Sequence, residues 1–283
     1  MTLAIVCKGP EGLVLAADSR ITLTTKQSDT GETFVANFDN ATKLFGIDKH
    51  PNIGILTHGN NIIGLSNPRG IHGFMGEFEA LLGRPANTVN RGQSRPSNRS
   101  QATVIDIARR LGRFYKEKWD DGAMPEDALP VGFLIAGLDA DEAYGKIYEI
   151  SVPSSIEPVE QLAGANFGVR WAGQFGLVNR LINGFDPQAL EIARTELGLT
   201  DEQTKKLQGK WSSQLGLSIP WQFLPLQDCV DLAEFLVNMT SVTQAWMTTG
   251  IRGVGGATDI ATITRNQGFR SIKQKQIELR SRQ

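Results

Sequence analysis

Thr2 is the residue whose type and position best suit covalent chemistry, because it directly follows Met1. A threonine hydroxyl is a weak nucleophile until a nearby base removes its proton. If Met1 is removed, the α-amine of Thr2 becomes free, and its ordinary pKa of about 7.7–8.0 leaves a substantial neutral fraction near pH 7. One residue then holds both a nucleophile and a base, which suits the cleavage of an amide bond through an acyl-enzyme.

The sequence after Thr2 predicts that this residue is held rigidly. Residues 3–8 and 13–17 are apolar runs with the length of strands, and Gly-Pro-Glu-Gly between them favours a tight reversal. A chain terminus is usually loose unless it is tied into a sheet. A hairpin that begins at residue 2 therefore fixes the candidate nucleophile.

The rest of the chain groups its predicted strands and helices into separate runs. Further strands are expected at residues 43–47, 53–57, 131–138, 145–152, 166–171, 259–264 and 268–273. Helices are expected at residues 61–82, 104–119, 177–182, 187–197, 201–207 and 225–246, and residues 22–40 form a polar stretch. This order favours an α+β protein, a four-layer αββα sandwich of two antiparallel sheets between helical layers.

Length and composition indicate one domain over residues 1–273, with a charged tail at 274–283. Residues 84–101 are polar and have few apolar anchors, so a surface insertion is expected there. The four arginines of this segment also allow a phosphate-binding patch, but it lacks aromatic partners, which favours a solvated loop.

The overall composition is that of an ordinary soluble protein without a charged partner. Hydrophobic residues make up 40% and charged residues 21%, and 29 basic against 30 acidic residues give a net charge of −1, so neither nucleic acid nor a membrane is expected as partner. Cys7 and Cys229 lie in apolar runs that suit buried thiols in the cytoplasm. No metal site is expected, and His50, His58 and His72 are interpreted as structural.

The start of the chain resembles the start of a proteasome β subunit. The resemblance lies in residues 2–6 and in residues 13–20, which end in Ala-Ala-Asp-Ser-Arg. In that family a processed threonine is the nucleophile and an aspartate follows sixteen positions later, which is the separation of Thr2 and Asp18. The resemblance therefore implies an N-terminal nucleophile (Ntn) hydrolase, a threonine peptidase without a cofactor.

Later segments extend this resemblance over most of the chain. Residues 41–45, Ala-Thr-Lys-Leu-Phe, are similar to the segment of the catalytic lysine and assign that role to Lys43. Leu-Thr-His-Gly at 56–59 resembles the strand end that forms the oxyanion hole, which makes Gly59 the implied donor. Residues 253–256 resemble the family's late glycine turn.

The implied roles follow ordinary acid–base chemistry. Lys43 stays charged and lowers the pKa of the Thr2 amine and hydroxyl, and Asp18 pairs with Lys43 to fix its position. The N–H of Gly59 stabilises the developing oxyanion. Ser19 and Arg20 are expected to support the turn after Asp18 rather than to contact substrate.

Several positions depart from the family pattern and leave alternatives open. Ala172 stands where the family has a serine beside the nucleophile, and Ile251 and Val254 stand where it has an aspartate and a serine. An inert ring-forming or partner-binding subunit is therefore an alternative, as is a peptide ligase or transpeptidase that uses the same acyl-enzyme. Residues 198–224, like 84–101, have no family counterpart and are expected to be a helical insertion.

The resemblance also implies partners. A peptide or protein substrate and self-association into rings are expected from it. Whether a regulatory ATPase takes part cannot be read from these residues.

Overall fold

A computed structural model describes residues 2–26, 33–83, 102–247 and 252–276. The strands are β1 Leu3–Gly9, β2 Gly12–Ala17, β3 Ile21–Lys26, β4 Thr33–Phe38, β5 Leu44–Ile47, β6 His50–Gly59, β7 Ile62–Ile63, β8 Arg69–Gly70, β9 Val131–Gly137, β10 Lys146–Val152, β11 Ser155–Gln161, β12 Gly168–Gly173, β13 Asp259–Thr264 and β14 Gly268–Lys273. The α-helices are α1 Met75–Leu82, α2 Val104–Asp121, α3 Gly176–Ile182, α4 Pro187–Leu197, α5 Asp201–Leu215 and α6 Leu226–Trp246, with 3₁₀ turns at Ile71–Phe74 and Trp221–Phe223.

Two five-stranded sheets carry most of the strands. The first has the order β12-β1-β2-β13-β14 and the second the order β11-β10-β9-β6-β5, with antiparallel pairing throughout. β1 is an interior strand of the first sheet, where Ala4 pairs with Ala17 of β2 on one side and with Ala172 of β12 on the other. The expected hairpin at the start of the chain is therefore present, and it lies inside a larger sheet.

The core consists of three apolar clusters, because successive side chains along each strand point to opposite faces of the sheet. One contains side chains from both large sheets, among them Ala4, Leu15, Leu56 and Leu134, so these two sheets face each other. Residues on the opposite face of the first sheet pack with α3 and α6, and those of the second sheet pack with α1 and α2. This mixed fold of antiparallel sheets and helices is compatible with the expected sandwich.

Some predicted elements differ from the structure. The polar stretch at 22–40 contains the antiparallel pair β3–β4, whose apolar side chains Leu23, Val35 and Phe38 are exposed. Strand β11 was not predicted, because its exposed edge position lacks a buried apolar run. The helix predicted over 61–82 is α-helical only over α1, since β7, β8 and a 3₁₀ turn precede it.

The two helices α4 and α5 lie outside the core, because neither contributes a buried residue. Helix α5 is longer than the predicted 201–207, since Thr200 and Gln203 form a capping box at its start and it continues to Leu215. The expected insertion at 84–101 lies outside the described residues, as does the tail from 277, and the single domain over 1–273 stays a prediction. No described helix is long and apolar enough to cross a membrane.

Candidate active site around Thr2

Thr2 lies fully buried at the start of β1 and is held from both sides. Its carbonyl oxygen accepts a hydrogen bond of 2.8 Å from the backbone N–H of Gln174, which follows β12. On the other side, the N–H of Leu3 donates to Asp18 Oδ1 at 3.0 Å. Thr2 Oγ1 is buried and has no hydrogen-bond partner among the described residues. Because an unpaired buried hydroxyl costs about 1–3 kcal/mol, a rigid orphan hydroxyl is a functional-site feature.

Asp18 directly follows β2 and gathers four donors around one buried carboxylate. Oδ1 accepts from Leu3 N–H and from Lys43 Nζ at 2.9 Å, and Oδ2 accepts from the N–H groups of Arg20 and Gly255, both at 3.0 Å. Four donors match the accepting capacity of an ionised carboxylate. Asp18 therefore joins the start of β1, the lysine and the 252–258 turn at one point.

Lys43 is fully buried just before β5, and its ammonium group has fixed partners. Nζ donates to Asp18 and to the carbonyl oxygen of Arg20. Burial lowers the pKa of Lys43, while the charge of Asp18 and the hydrogen bond to it act in the opposite direction. The backbone of Lys43 is held too, since its carbonyl oxygen accepts from Thr57 N–H at 2.9 Å.

Gly59 ends β6, in the sheet that faces β1. Its φ of +77° lies in the left-handed region, and a Cβ at this position would lie 2.3 Å from the carbonyl oxygen of Pro130. Only glycine fits this backbone. The structure thus explains the residue type, and the oxyanion role of Gly59 stays a prediction.

Ser19 and Arg20 connect the end of β2 to neighbouring loops. Ser19 Oγ donates to the carbonyl oxygen of Ala257 at 2.7 Å, and Ser19 N–H donates to that of Gly255 at 3.0 Å. The Arg20 guanidinium pairs with Asp39, with Nε and Oδ1 2.6 Å apart. The expectation that both residues support the turn after Asp18 rather than contact substrate stays a prediction.

Sequence reasoning missed the residue beside Thr2. Ala172 pairs with Ala4, whereas Gln174 donates its N–H to the Thr2 carbonyl. Gly173, which pairs with Leu3, makes this approach possible, because it has a φ of +90° and a Cβ there would lie 1.8 Å from the Thr2 oxygen. Val254 contributes a backbone N–H to the side chain of Gln244 rather than a hydroxyl, and Ile251 lies outside the described residues.

His58 lies close to this site, directly before Gly59, whereas the sequence predicted only a structural role for it. Its Cβ is 3.6 Å from the position that a Cβ of Gly173 would occupy, and its ring covers Gly132 so closely that no side chain fits there. His58 Nε2 is buried without a partner in the described part of the chain, as are the hydroxyls of Thr2 and Thr57. Burial lowers the pKa of His58 to about 4, so the ring is neutral near pH 7.

The lowered pKa of His58 predicts a loss of stability in mild acid. The unfolded chain binds a proton near pH 6.5, but folded His58 does so only near pH 4, so the free energy of unfolding falls as the pH drops through this window. The full effect of this residue is up to about 3 kcal/mol. Urea unfolding between pH 7 and 4 measures how the free energy of unfolding depends on pH. The variant His58→Phe should lose the part of this pH dependence that comes from His58. His72→Phe, at an exposed position, should retain it. Equal slopes in wild type and His58→Phe would contradict the buried neutral state.

No protein-family model and no curated protein matches this chain. Among solved structures, the chain is similar to the Gly-1 mutant of Anbu from Hyphomicrobium sp. strain MC1, with a TM-score of 0.52 and 13% sequence identity. The match covers 97% of this chain and 86% of the Anbu chain. The chain therefore shares its fold with Anbu, an Ntn-hydrolase-like protein. Since Anbu is a proteasome-related protein, the likeness supports the proteasome-like fold expected from the sequence, and at this identity it concerns the fold alone.

The described residues show no group of three or more His, Cys, Asp or Glu side chains arranged to hold a metal ion. The site itself offers three kinds of group for chemistry. The first is the buried hydroxyl of Thr2, which has no hydrogen-bond partner among the described residues. The second is the buried ion pair of Lys43 and Asp18, and the third is Gly173, whose backbone lies close to Thr2.

Proposed function

We propose that this protein is a threonine-type N-terminal nucleophile amidohydrolase, a peptidase that acts through an acyl-enzyme on Thr2 once Met1 has been removed. The observation that carries the proposal is the buried, unpartnered Oγ1 of Thr2, on a residue whose backbone is fixed by Gln174 and, through Leu3, by the Asp18–Lys43 pair. The Ntn-hydrolase-like fold supports it. The proposal includes the four-layer αββα arrangement, a peptide or protein substrate, and self-association into rings.

The first step forms a bond between Thr2 Oγ and the carbonyl carbon of the substrate. The free α-amine of Thr2 takes the hydroxyl proton, and the negative charge that develops on the carbonyl oxygen is stabilised by the N–H of Gly59. When the carbon–nitrogen bond breaks, the same amine returns the proton to the leaving nitrogen. The product is an ester of Thr2, the acyl-enzyme.

Water completes the reaction in the second step. The α-amine removes a proton from water, which attacks the ester carbon, and the proton then returns to Thr2 Oγ as the acid leaves. Lys43 keeps its positive charge through its contact with Asp18 and favours the neutral form of the nearby amine. An added amine that attacks in place of water would give ligation from the same ester.

Peptide cleavage by a protein that starts at Thr2 tests the proposal. A cleavable leader whose removal leaves Thr2 first supplies the protein, and mass spectrometry of a mixed peptide pool detects new termini. We expect cleavage by this protein, no cleavage by Thr2→Ala, and retained cleavage by Thr2→Ser. Adding an amine nucleophile in a parallel reaction separates hydrolysis from aminolysis. Equal product from Thr2→Ala, or none from the Thr2 protein, would contradict the proposal and favour the inert subunit.

A further inference from the structure

The two cysteines of the chain meet on the face of the first sheet that packs against α6. Cys7 lies on β1 and is fully buried, and Cys229 lies at the end of the first turn of α6 with only 1% of its surface exposed. Both belong to the apolar cluster between this sheet and α6, and both are free thiols. The only two thiols of the protein therefore share one strand–helix contact.

A glycine on β1 lets the helix come close at this point. Gly9 lies two residues after Cys7, so these two residues point to the same face of the sheet. A Cβ at Gly9 would lie only 3.1 Å from Cys229 Sγ. The missing side chain of Gly9 thus leaves the space that the Cys229 thiol occupies, directly beside the position of the Cys7 side chain.

The two thiols are hydrogen-bonding neighbours. The hydrogen bond from the Cys7 thiol lowers the pKa of Cys229, although burial and the charges of Asp228 and Glu11 act in the opposite direction. The same hydrogen bond, together with burial, raises the pKa of Cys7. Because the thiolate is the nucleophilic form of cysteine, Cys229 is the thiol of this pair that reacts first.

Cys229 is also the thiol that lies closer to solvent. Gln227 and Asp228, which precede it in α6, are both exposed, so Cys229 lies near the surface although its own side chain is buried. Cys7 is enclosed within the sheet, because β1 pairs with β2 on one side and with β12 on the other. A small oxidant that enters from the start of α6 therefore meets Cys229 before Cys7.

We propose that Cys7 and Cys229 are a modification site, a dithiol that hydrogen peroxide converts reversibly into a disulfide between β1 and α6. In the first step Cys229 Sγ attacks one peroxide oxygen, so that an S–O bond forms, the O–O bond breaks and water leaves. In the second step Cys7 Sγ attacks the resulting sulfenic acid. The S–S bond forms, the S–O bond breaks, and the hydroxyl leaves with the proton of Cys7 as a second water.

The disulfide has a physical consequence for the whole chain. It closes a loop from residue 7 to residue 229, which includes most of the sequence. A cross-link over so many residues restricts the unfolded chain and thereby stabilises the folded protein. Neither thiol takes part in the acyl transfer proposed above, so the oxidation can be measured whether or not Thr2 is active.

Peptide mass spectrometry of the full chain after exposure to hydrogen peroxide tests this site. The folded protein is oxidised, its free thiols are blocked with iodoacetamide, and it is digested without a reductant. We expect a peptide pair linked through Cys7 and Cys229, the loss of both free thiols in each chain, and the recovery of both with dithiothreitol. The oxidised protein should melt about 5 °C or more above the reduced protein.

Two single variants separate the steps. Cys7→Ala lacks the second thiol, so its Cys229 should stay a sulfenic acid and be labelled by dimedone more strongly than in the wild type. Cys229→Ala should keep an alkylatable Cys7, and its melting temperature corrects for oxidation at methionine. Two free thiols in the peroxide-treated wild type, or a disulfide only between chains, would overturn the proposed site. So would a linked peptide pair that leaves the corrected melting temperature unchanged or lowers it.

Discussion

Lys43→Met should lower the free energy of unfolding by about 3 kcal/mol or more, because it leaves the buried Asp18 carboxylate without its ammonium partner. Both side chains are only 1% exposed, so water cannot replace the lost interaction. Urea unfolding at pH 7 measures the change. Acylation of Thr2 by a β-lactone should also slow by about 100-fold, since the cation no longer favours the neutral amine.

Two controls separate the loss of this buried ion pair from the effect of removing any lysine side chain. Asp18→Asn combined with Lys43→Met should recover part of the stability, because no uncompensated charge is then buried. Lys116→Met removes the lysine of the solvent-exposed i,i+4 pair with Asp120 and should cost less than about 1 kcal/mol. If Lys43→Met unfolds at the same urea concentration as Lys116→Met, the buried pair does not have the role assigned to it.

Gly173→Ala should disturb the nucleophile more directly than any change in charge. The new Cβ would lie 1.8 Å from the Thr2 carbonyl oxygen, and a φ of +90° is strained for alanine, so the start of β1 must move. A displacement near 1 Å is enough to slow a reaction about 100-fold, and the rate of Thr2 acylation should fall by that amount. The stability cost is expected to be about 1–3 kcal/mol.

Gly164→Ala is the matched control for this substitution. Gly164 also has a positive φ, +61°, but a Cβ there meets no atom within 4 Å. The Gly164→Ala variant therefore has the backbone strain without the clash, and its Thr2 should be acylated at the wild-type rate. Equal acylation rates in the two variants would show that the close approach of Gly173 to Thr2 has no part in positioning the nucleophile.

The elements that the sequence predicts well are those with strong local signals. The first hairpin combines continuous apolar runs with a glycine–proline turn, and α2 has a capping box at Thr103 and Asp106. Such signals are missing from β3, β4 and β11. These strands form a separate pair or lie at a sheet edge, and they expose the apolar side chains of Leu23, Val35, Phe38 and Val159. Their pairing is set by tertiary contacts, which override local preference.

The candidate site also contains residues that the sequence could reveal and residues that it could not. Asp18 and Lys43 have recognisable sequence separations from Thr2, and the structure shows them as a buried ion pair. Gln174 and Gln244 could not be found, because the register of β1 against β12 and the end of α6 bring them to the site from far along the chain. The sequence placed Gly255 in a glycine turn but did not predict its contact with Asp18. The resemblance to the proteasome family placed Ala172 beside the nucleophile. In the structure the residue beside Thr2 is Gln174, two positions later.

Mass spectrometry of an epoxyketone adduct tests the central claim most directly, because this electrophile needs both the hydroxyl and the free amine of an N-terminal threonine. The protein that starts at Thr2 should gain one adduct, on the peptide that begins with Thr2. Thr2→Ala and the chain that keeps Met1 should gain none. No adduct on Thr2 in the processed protein, or the same adduct in Thr2→Ala, would contradict the assignment of Thr2 as the nucleophile.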